Sequence, residues 1–298
     1  MPFPLSIIPR EEFKNHPLLA RLLELHDVPE QLYVAGALPE ITLDTYGRAT
    51  PRILTVIGSR KYTSYGKLAV EKLLGSLRGE PVIILSGLAL GIDGLSHEAA
   101  LTNKLTTMAI PGSGLDTKVI YPRTHLGLAE QIVSSGGVLL SEFAPEMQAA
   151  QWTFPARNRI MAALSDALFV VEATEKSGTL ITARQALELG RDIGALPGDI
   201  FSESSYGTNM LIKEGAYILR NADDLHDLLH LEKREEKEVQ QVYSKEEKKI
   251  LDLLNEPLEK DTLLVQSELP PDQFLMTLSS LEIKGCIQET FGEVRKVV

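Results

Sequence analysis

The chain has 298 residues, of which 44% are hydrophobic and 24% charged, enough to bury large cores and too apolar to stay disordered. Thirty basic residues against 41 acidic give a net charge of −11, which excludes a surface coated all over with nucleic acid but leaves room for a local basic groove. No apolar run reaches the roughly 20 residues of a membrane-spanning helix. The start, MPFPLSIIPREEFKNHP, lacks the basic residues and unbroken apolar stretch of a signal peptide, so a cytoplasmic protein outside the membrane is expected. The single cysteine, Cys286, excludes an intramolecular disulfide and a thiolate zinc cluster; it reads as a small buried hydrophobe in a reducing compartment.

In chain order, residues 1–50 carry a helical pattern, HPLLARLLELHD, and then short extended pieces in VPEQLYVAGALPE, together expected as a small cap. Over residues 51–230 apolar strands alternate with helical stretches. The strands are ILTVIGS (53–59), PVIILSG (81–87), LTTMAIPGSG (105–114), GGVLLSE (136–142), DALFVVEA (166–173), DIGALPG (192–198) and AYILRN (216–221). Several are apolar almost throughout, as strands buried on both faces are. Between them YGKLAVEKLLGSLRG, DGLSHEAALTN, HLGLAEQIVSSG, RNRIMAALS and TLITARQALELGRD space apolar residues three and four apart, so a parallel, doubly wound sheet is expected. The charge-alternating run from Glu232 to Lys249 has almost no apolar residues and places a linker at 231–245. Residues 246–298 then read as three helices and two short strands around a turn at Gly292, a winged-helix pattern.

Ligands of an open parallel sheet sit at the carboxyl ends of its strands, where loops meet helix N-termini that favour anions. The loops there are Gly58-Ser59-Arg60, Ser86-Gly87 leading to Gly91, Gly112-Ser113-Gly114, Ser177-Gly178-Thr179 and Pro197-Gly198-Asp199. One such loop would be an ordinary turn; five on one edge suit a phosphate-rich ligand that the backbone approaches closely. None matches G-x-G-x-x-G or the Walker pattern, so neither NAD nor ATP is expected, and no cofactor or metal is assigned. Instead Arg60 follows the first strand, and Phe154-Pro155-Ala156-Arg157-Asn158-Arg159 opens a helix with two guanidinium groups and an amide. Lys118 and Arg123 add charge near Tyr121-Pro122. Positive charge beside Tyr121, Phe143, Trp152 and Phe154 suits sequence-independent binding of a single strand, with Phe154 as the stacking ring. Asp93 and His97, four apart on a helix, are read as hydrogen-bonding groups that fix the loop.

These motifs resemble those of the DNA-processing protein A (DprA or Smf) family. The carrying segments are I-G-S-R at 57–60, S-G-L-A-L-G-I-D-G-L-S-H at 86–97, G-S-G-L-D-T-K-V-I-Y-P at 112–122, L-L-S-E-F at 139–143, F-P-A-R-N-R-I at 154–160 and the block from Glu172 to Gly215. They are collinear over about two thirds of the chain. The resemblance implies an extended Rossmann-like domain that binds single-stranded DNA in a positive pocket and hands incoming DNA to the RecA recombinase in naturally transformable bacteria, without catalysis. It places Arg60, Arg157, Asn158 and Arg159 in that pocket, with Lys118 nearby, and implies a homodimer formed near Gly207 to Leu219, for which Met210, Leu211 and Ile212 are candidates.

The family's frequent N-terminal helical domain, similar to the sterile-alpha-motif fold, is expected to be absent or reduced, since about fifty residues precede Ile53. From Ser244 onward 7 basic residues face 11 acidic ones, a net of −4, so the winged helix is expected to contact protein rather than duplex DNA. A rival reading comes from Rossmann-like phosphoribohydrolases with the pattern P-G-G-x-G-T-x-x-E. Here Thr182 stands where that carboxylate would be, so glycosidic cleavage lacks its expected acid or base, although Glu172 and Glu175 lie close in sequence and keep this reading open. A transcription regulator led by the winged helix is a third reading, opposed by the acidic recognition helix.

Overall fold

The computed structural model describes residues 3–43, 48–231, 243–290 and 292–296. The chain divides into two compact units, Met1–Glu232 and Lys233–Val298. Residues 232–242, which hold most of the expected linker, lie outside the described residues.

The strands of the first unit are β1 (Leu5–Pro9), β2 (Gln31–Gly36), the short pair β3 (Thr42–Leu43) and β4 (Ala49–Thr50), and then β5 (Arg52–Ile57), β6 (Val82–Ser86), β7 (Thr106–Ala109), β8 (Val138–Ser141), β9 (Ala167–Val170), β10 (Asp192–Ala195) and β11 (Tyr217–Ile218). Nine of them form one sheet in the order β1-β2-β8-β7-β6-β5-β9-β10-β11. From β8 across to β11 every pairing is parallel. Residues 1–50, read as a cap, supply β1 and β2 to the sheet's antiparallel edge, in register from Tyr33↔Ser141 to Gly36↔Val138. Their expected helix is one turn, α1 (Pro17–Ala20), followed by a 3-10 turn. Tertiary anchoring holds it: Leu18, Leu19 and Leu22 are wholly buried, and Arg21 donates to the Leu164 carbonyl at 2.8 Å. So short a helix has little stability of its own.

The remaining helices of this unit are α2 (Ser64–Ser76), α3 (Ile92–Thr102), α4 (Leu126–Ser134), α5 (Thr153–Leu164), α6 (Gly178–Glu188), α7 (Tyr206–Lys213) and α8 (Ala222–Leu228). The pleat explains the apolar runs of the central strands. Ile53 and Ile57 of β5 pack in one layer with Ile160 of α5 and Leu180 of α6, whereas Leu54 and Val56 enter the other with Val70 of α2 and Leu225 of α8.

The chain runs outward from β5 through β6 and β7 to β8, then returns to place β9 on the other side of β5. Asp166 secures that junction. Its carboxylate accepts from the Ile53 N–H at 2.7 Å and from Arg21 and Arg52 at 3.0 and 3.3 Å, while its own N–H donates to the Ile53 carbonyl at 2.9 Å.

The second unit holds α9 (Lys245–Leu253), β12 (Leu258–Glu259), α10 (Lys260–Ser267), α11 (Pro271–Ile283), β13 (Ile287–Thr290) and β14 (Glu293–Lys296), with strand order β12-β14-β13. This is a winged helix around Ile250, Leu263, Phe274, Leu281, Cys286 and Val294. Ser244 and Glu247 form a capping box at the start of α9. The Glu247 carboxylate also accepts from Ser280 and Lys284, each at about 2.7 Å, and these bonds pull its pKa down to about 2.

Candidate nucleic-acid interface

The point where the chain changes direction, between β5 and β9, opens at the strands' carboxyl ends into a cleft of about 490 Å³. Its walls are the loops after β5 and β9, Ala89 from the loop after β6, and the starts of α5 and α6. Doubly wound sheets bind ligands at such switch points because two loops diverge there and leave helix N-termini facing the gap. The loops after β5 and β6 meet backbone to backbone. Gly91 has φ +86, a Cβ on it would run into the Ser59 carbonyl, and the Ile92 N–H donates to that carbonyl at 3.1 Å. Ser177 caps α6 by accepting from the Thr179 N–H at 3.2 Å, and next to it Gly178 faces open space.

Arg60 is exposed at the mouth, and its guanidinium lies 4.9 Å from the centroid of the Phe154 ring. Phe154 in turn lies over Gly112 and meets Tyr121 edge-on at 5.8 Å. Among the described residues Arg60 has no acidic partner, and the Asn158 amide makes no hydrogen bond. Both therefore face the cleft unsatisfied.

The floor is built differently. Arg157 is 3% exposed, donates to the Ile110 carbonyl and to the Met161 sulfur, and stands 3.9 Å from the Asp93 carboxylate. Its guanidinium fills the space where any side chain on Gly87 would stand. Burial, with repulsion from Arg60, lowers its pKa to about 10, so it stays charged at neutral pH. Burial raises the Asp93 pKa, against the pull of Arg157 and of the Ala89 and Gly87 N–H groups. Asp93 thereby fixes the loop after β6. His97 does not join it: its Nδ1 bonds the Thr107 hydroxyl at 2.7 Å, and burial holds its pKa down at about 3, so the ring is neutral.

Of the residues singled out in the sequence, the cleft brings together Gly58, Ser59, Arg60, Phe154, Arg157, Asn158, Ser177, Gly178 and Thr179. Ser86 is buried and donates to the Val56 carbonyl at 2.7 Å, so it supports the floor with Gly87. Gly114 packs on the backbone of Ala144 and Pro145. Lys118 is exposed on the loop after β7, outside the cleft lining. Arg159 also lies outside it, held by Glu142 in two bonds of 2.7 Å. Leu211 is 2% exposed and belongs to the core, against which Met210 and Ile212 are half-buried. The sequence reading did not single out Gln151, Met161, Thr174 or Ile181, which also line the cleft. Gln151 precedes the F-P-A-R-N-R run by three residues, close enough to a recognised helix start to have been found.

A family model described as DNA recombination-mediator protein A matches residues 11–230, nearly the whole first unit. The chain belongs to that family. A second model of the family, its winged-helix domain, matches residues 234–292. The DNA processing protein DprA of Bacillus subtilis is 39% identical over 208 residues, covering 70% of this chain and 67% of that one. Protein Smf of Escherichia coli is 40% identical over 205 residues, and the match spans 69% of this chain but about half, 52%, of that protein. Among solved structures, DprA of Streptococcus pneumoniae superposes with a TM-score of 0.64 at 36% identity, over 78% of this chain and 75% of that one. DprA of Helicobacter pylori, whose structure concerns its single-stranded DNA binding mode, gives 0.61 at 30% identity over 76% and 96%. The family's fold is the Rossmann-like sheet and winged helix described above. Among the described residues no helix is long and apolar enough to cross a membrane, and no three metal-ligating side chains converge.

Proposed function

We propose that the cleft binds single-stranded DNA without sequence preference, and that the protein acts as a cytoplasmic recombination mediator. The observation that carries this is the pairing at the mouth of an unneutralised Arg60 with the Phe154 ring, above two helix N-termini. A phosphate would be held by Arg60, Asn158 and the Gly178 N–H at the start of α6, and a base would stack on Phe154. Arg157 adds a buried positive charge beneath them, and Arg159, already bonded to Glu142, contributes through the position of α5. The single-strand binding described for the H. pylori relative supports this assignment. By the family resemblance the bound strand would be incoming DNA, passed to the RecA recombinase during transformation. A homodimer would form at the far edge of the sheet, through the half-buried Met210 and Ile212 of α7 and the exposed Tyr217 and Ile218 of the edge strand β11.

Binding rather than catalysis is the role these residues suit. Asp93, the carboxylate among the cleft's lining residues, is committed to the loop and to Arg157. Thr182 stands buried where the phosphoribohydrolase pattern has its acid. The test is a titration of a labelled single strand and its duplex with wild type and Phe154→Ala. Preference for the single strand, weakened about tenfold in the variant, is expected. Equal binding of the duplex would overturn the reading.

A further inference from the structure

Aromatic side chains are 6% of this chain, yet the exposed ones are not scattered. Among the described residues seven aromatics are exposed, and six stand at the carboxyl edge of the sheet: Tyr62, Tyr65, Tyr121, Trp152, Phe201 and Tyr206. Exposed rings gathered on one edge suit a ligand, and for Tyr62 and Phe201 no ring partner or side-chain hydrogen bond among the described residues accounts for their place. Tyr121 and Trp152 lie on the β7 side of the cleft, with Tyr121 against Phe154 and Trp152 edge-on to Phe143. The others lie on the opposite side. Tyr62 stands two residues beyond Arg60 on the same loop. The Tyr65 hydroxyl donates to the Pro197 carbonyl at 2.8 Å, which ties the start of α2 to the loop after β10. That loop ends in Phe201, 90% exposed, its N–H held by Asp199 at 2.8 Å. From β5 to β10 the sheet steps across β9, two strand spacings or about 10 Å.

We propose that the bound strand continues out of the cleft along this side, its bases stacking on Tyr62 and Phe201, so that the DNA site extends from the switch point to the loop after β10. The proposal rests on the strand-binding reading of the cleft and adds its direction and length. Exposed Lys61 and Lys176 flank the path, but exposed Glu175, Asp199 and Glu203 offset them. The extension therefore holds DNA by stacking, and its share of the affinity changes little with salt, unlike that of Arg60.

The experiment compares oligothymidylates of about 4 and about 12 nucleotides, which span the site sizes of single-strand grooves, against wild type, Phe201→Ala and Tyr62→Ala. Both side chains are exposed, so the variants keep the fold. Wild type should bind the long oligomer more tightly than the short one beyond the statistical gain from overlapping sites. Each variant should lose about tenfold on the long oligomer at low and high salt alike. An unchanged affinity for the long oligomer overturns the extension and leaves the cleft reading intact. A loss of equal size on both oligomers also overturns it, by placing these rings in the cleft itself. Failure of wild type to bind either oligomer removes the cleft reading and the extension with it.

Discussion

Two clefts of similar volume, about 490 and about 540 Å³, open at opposite ends of the same sheet. The first gathers Arg60, Arg157 and Asp93 at the starts of α5 and α6. The second gathers Glu40, Glu80 and Lys104 with Pro39, Pro51 and Pro81, and its loops follow the ends of α2, α3 and α4. Helix N-termini carry positive partial charge and C-termini negative. In a parallel sheet all the connections run the same way, so one end collects the first kind and the other end the second. Volume does not distinguish the two clefts; strand direction does. A polyanion is favoured at one and opposed at the other.

The largest effect that would sharpen this contrast lies in the floor of the first cleft. Arg157→Ala leaves the Asp93 carboxylate buried without its counter-charge and should cost about 3 to 5 kcal/mol of stability, read as a lower urea midpoint. Arg60→Ala, on the exposed rim, should cost less than about 0.5 kcal/mol and leave that midpoint nearly unmoved. Matching losses would mean that floor and rim are not the separate parts their burial indicates.

A more gradual effect, smaller within any one pH unit, concerns pH. His97 is held neutral, with a pKa of about 3 against 6.5 for an unperturbed imidazole, so below pH 6.5 the unfolded chain binds a proton that the folded one does not. Its contribution to stability is complete above pH 6.5 and declines as pH falls toward 3, by about 1.4 kcal/mol per pH unit. His97→Gln should make the stability profile shallower by that slope in this window. An unchanged slope would show that the ring is protonated in the folded protein.

The strands from β5 onward and the glycine loops beyond them were legible because their signal is local: apolar runs, then glycine and a hydroxyl residue. What the sequence hid depends on distant partners. Arg157 and Arg159 are two residues apart in one motif, yet the first is buried against Asp93 and the second held by Glu142. Nothing in F-P-A-R-N-R separates them. Likewise β2 reads as a loose piece and β1 does not read as a strand, because β8, more than a hundred residues later, pairs with β2, and β2 in turn pairs with β1. Leu211 looked like a surface patch because α7, with 8 residues, is too short to show which face is buried.

The claim that strand direction, not cavity size, marks the DNA site is tested most directly by titrating one labelled oligothymidylate with wild type, Arg60→Ala and Lys104→Ala at low and high salt. Arg60→Ala should weaken binding at least about tenfold and reduce the slope of log affinity against log salt by about 0.7 for the lost phosphate contact, while Lys104→Ala follows wild type. Equal losses in the two variants, or a loss confined to Lys104→Ala, would contradict the account.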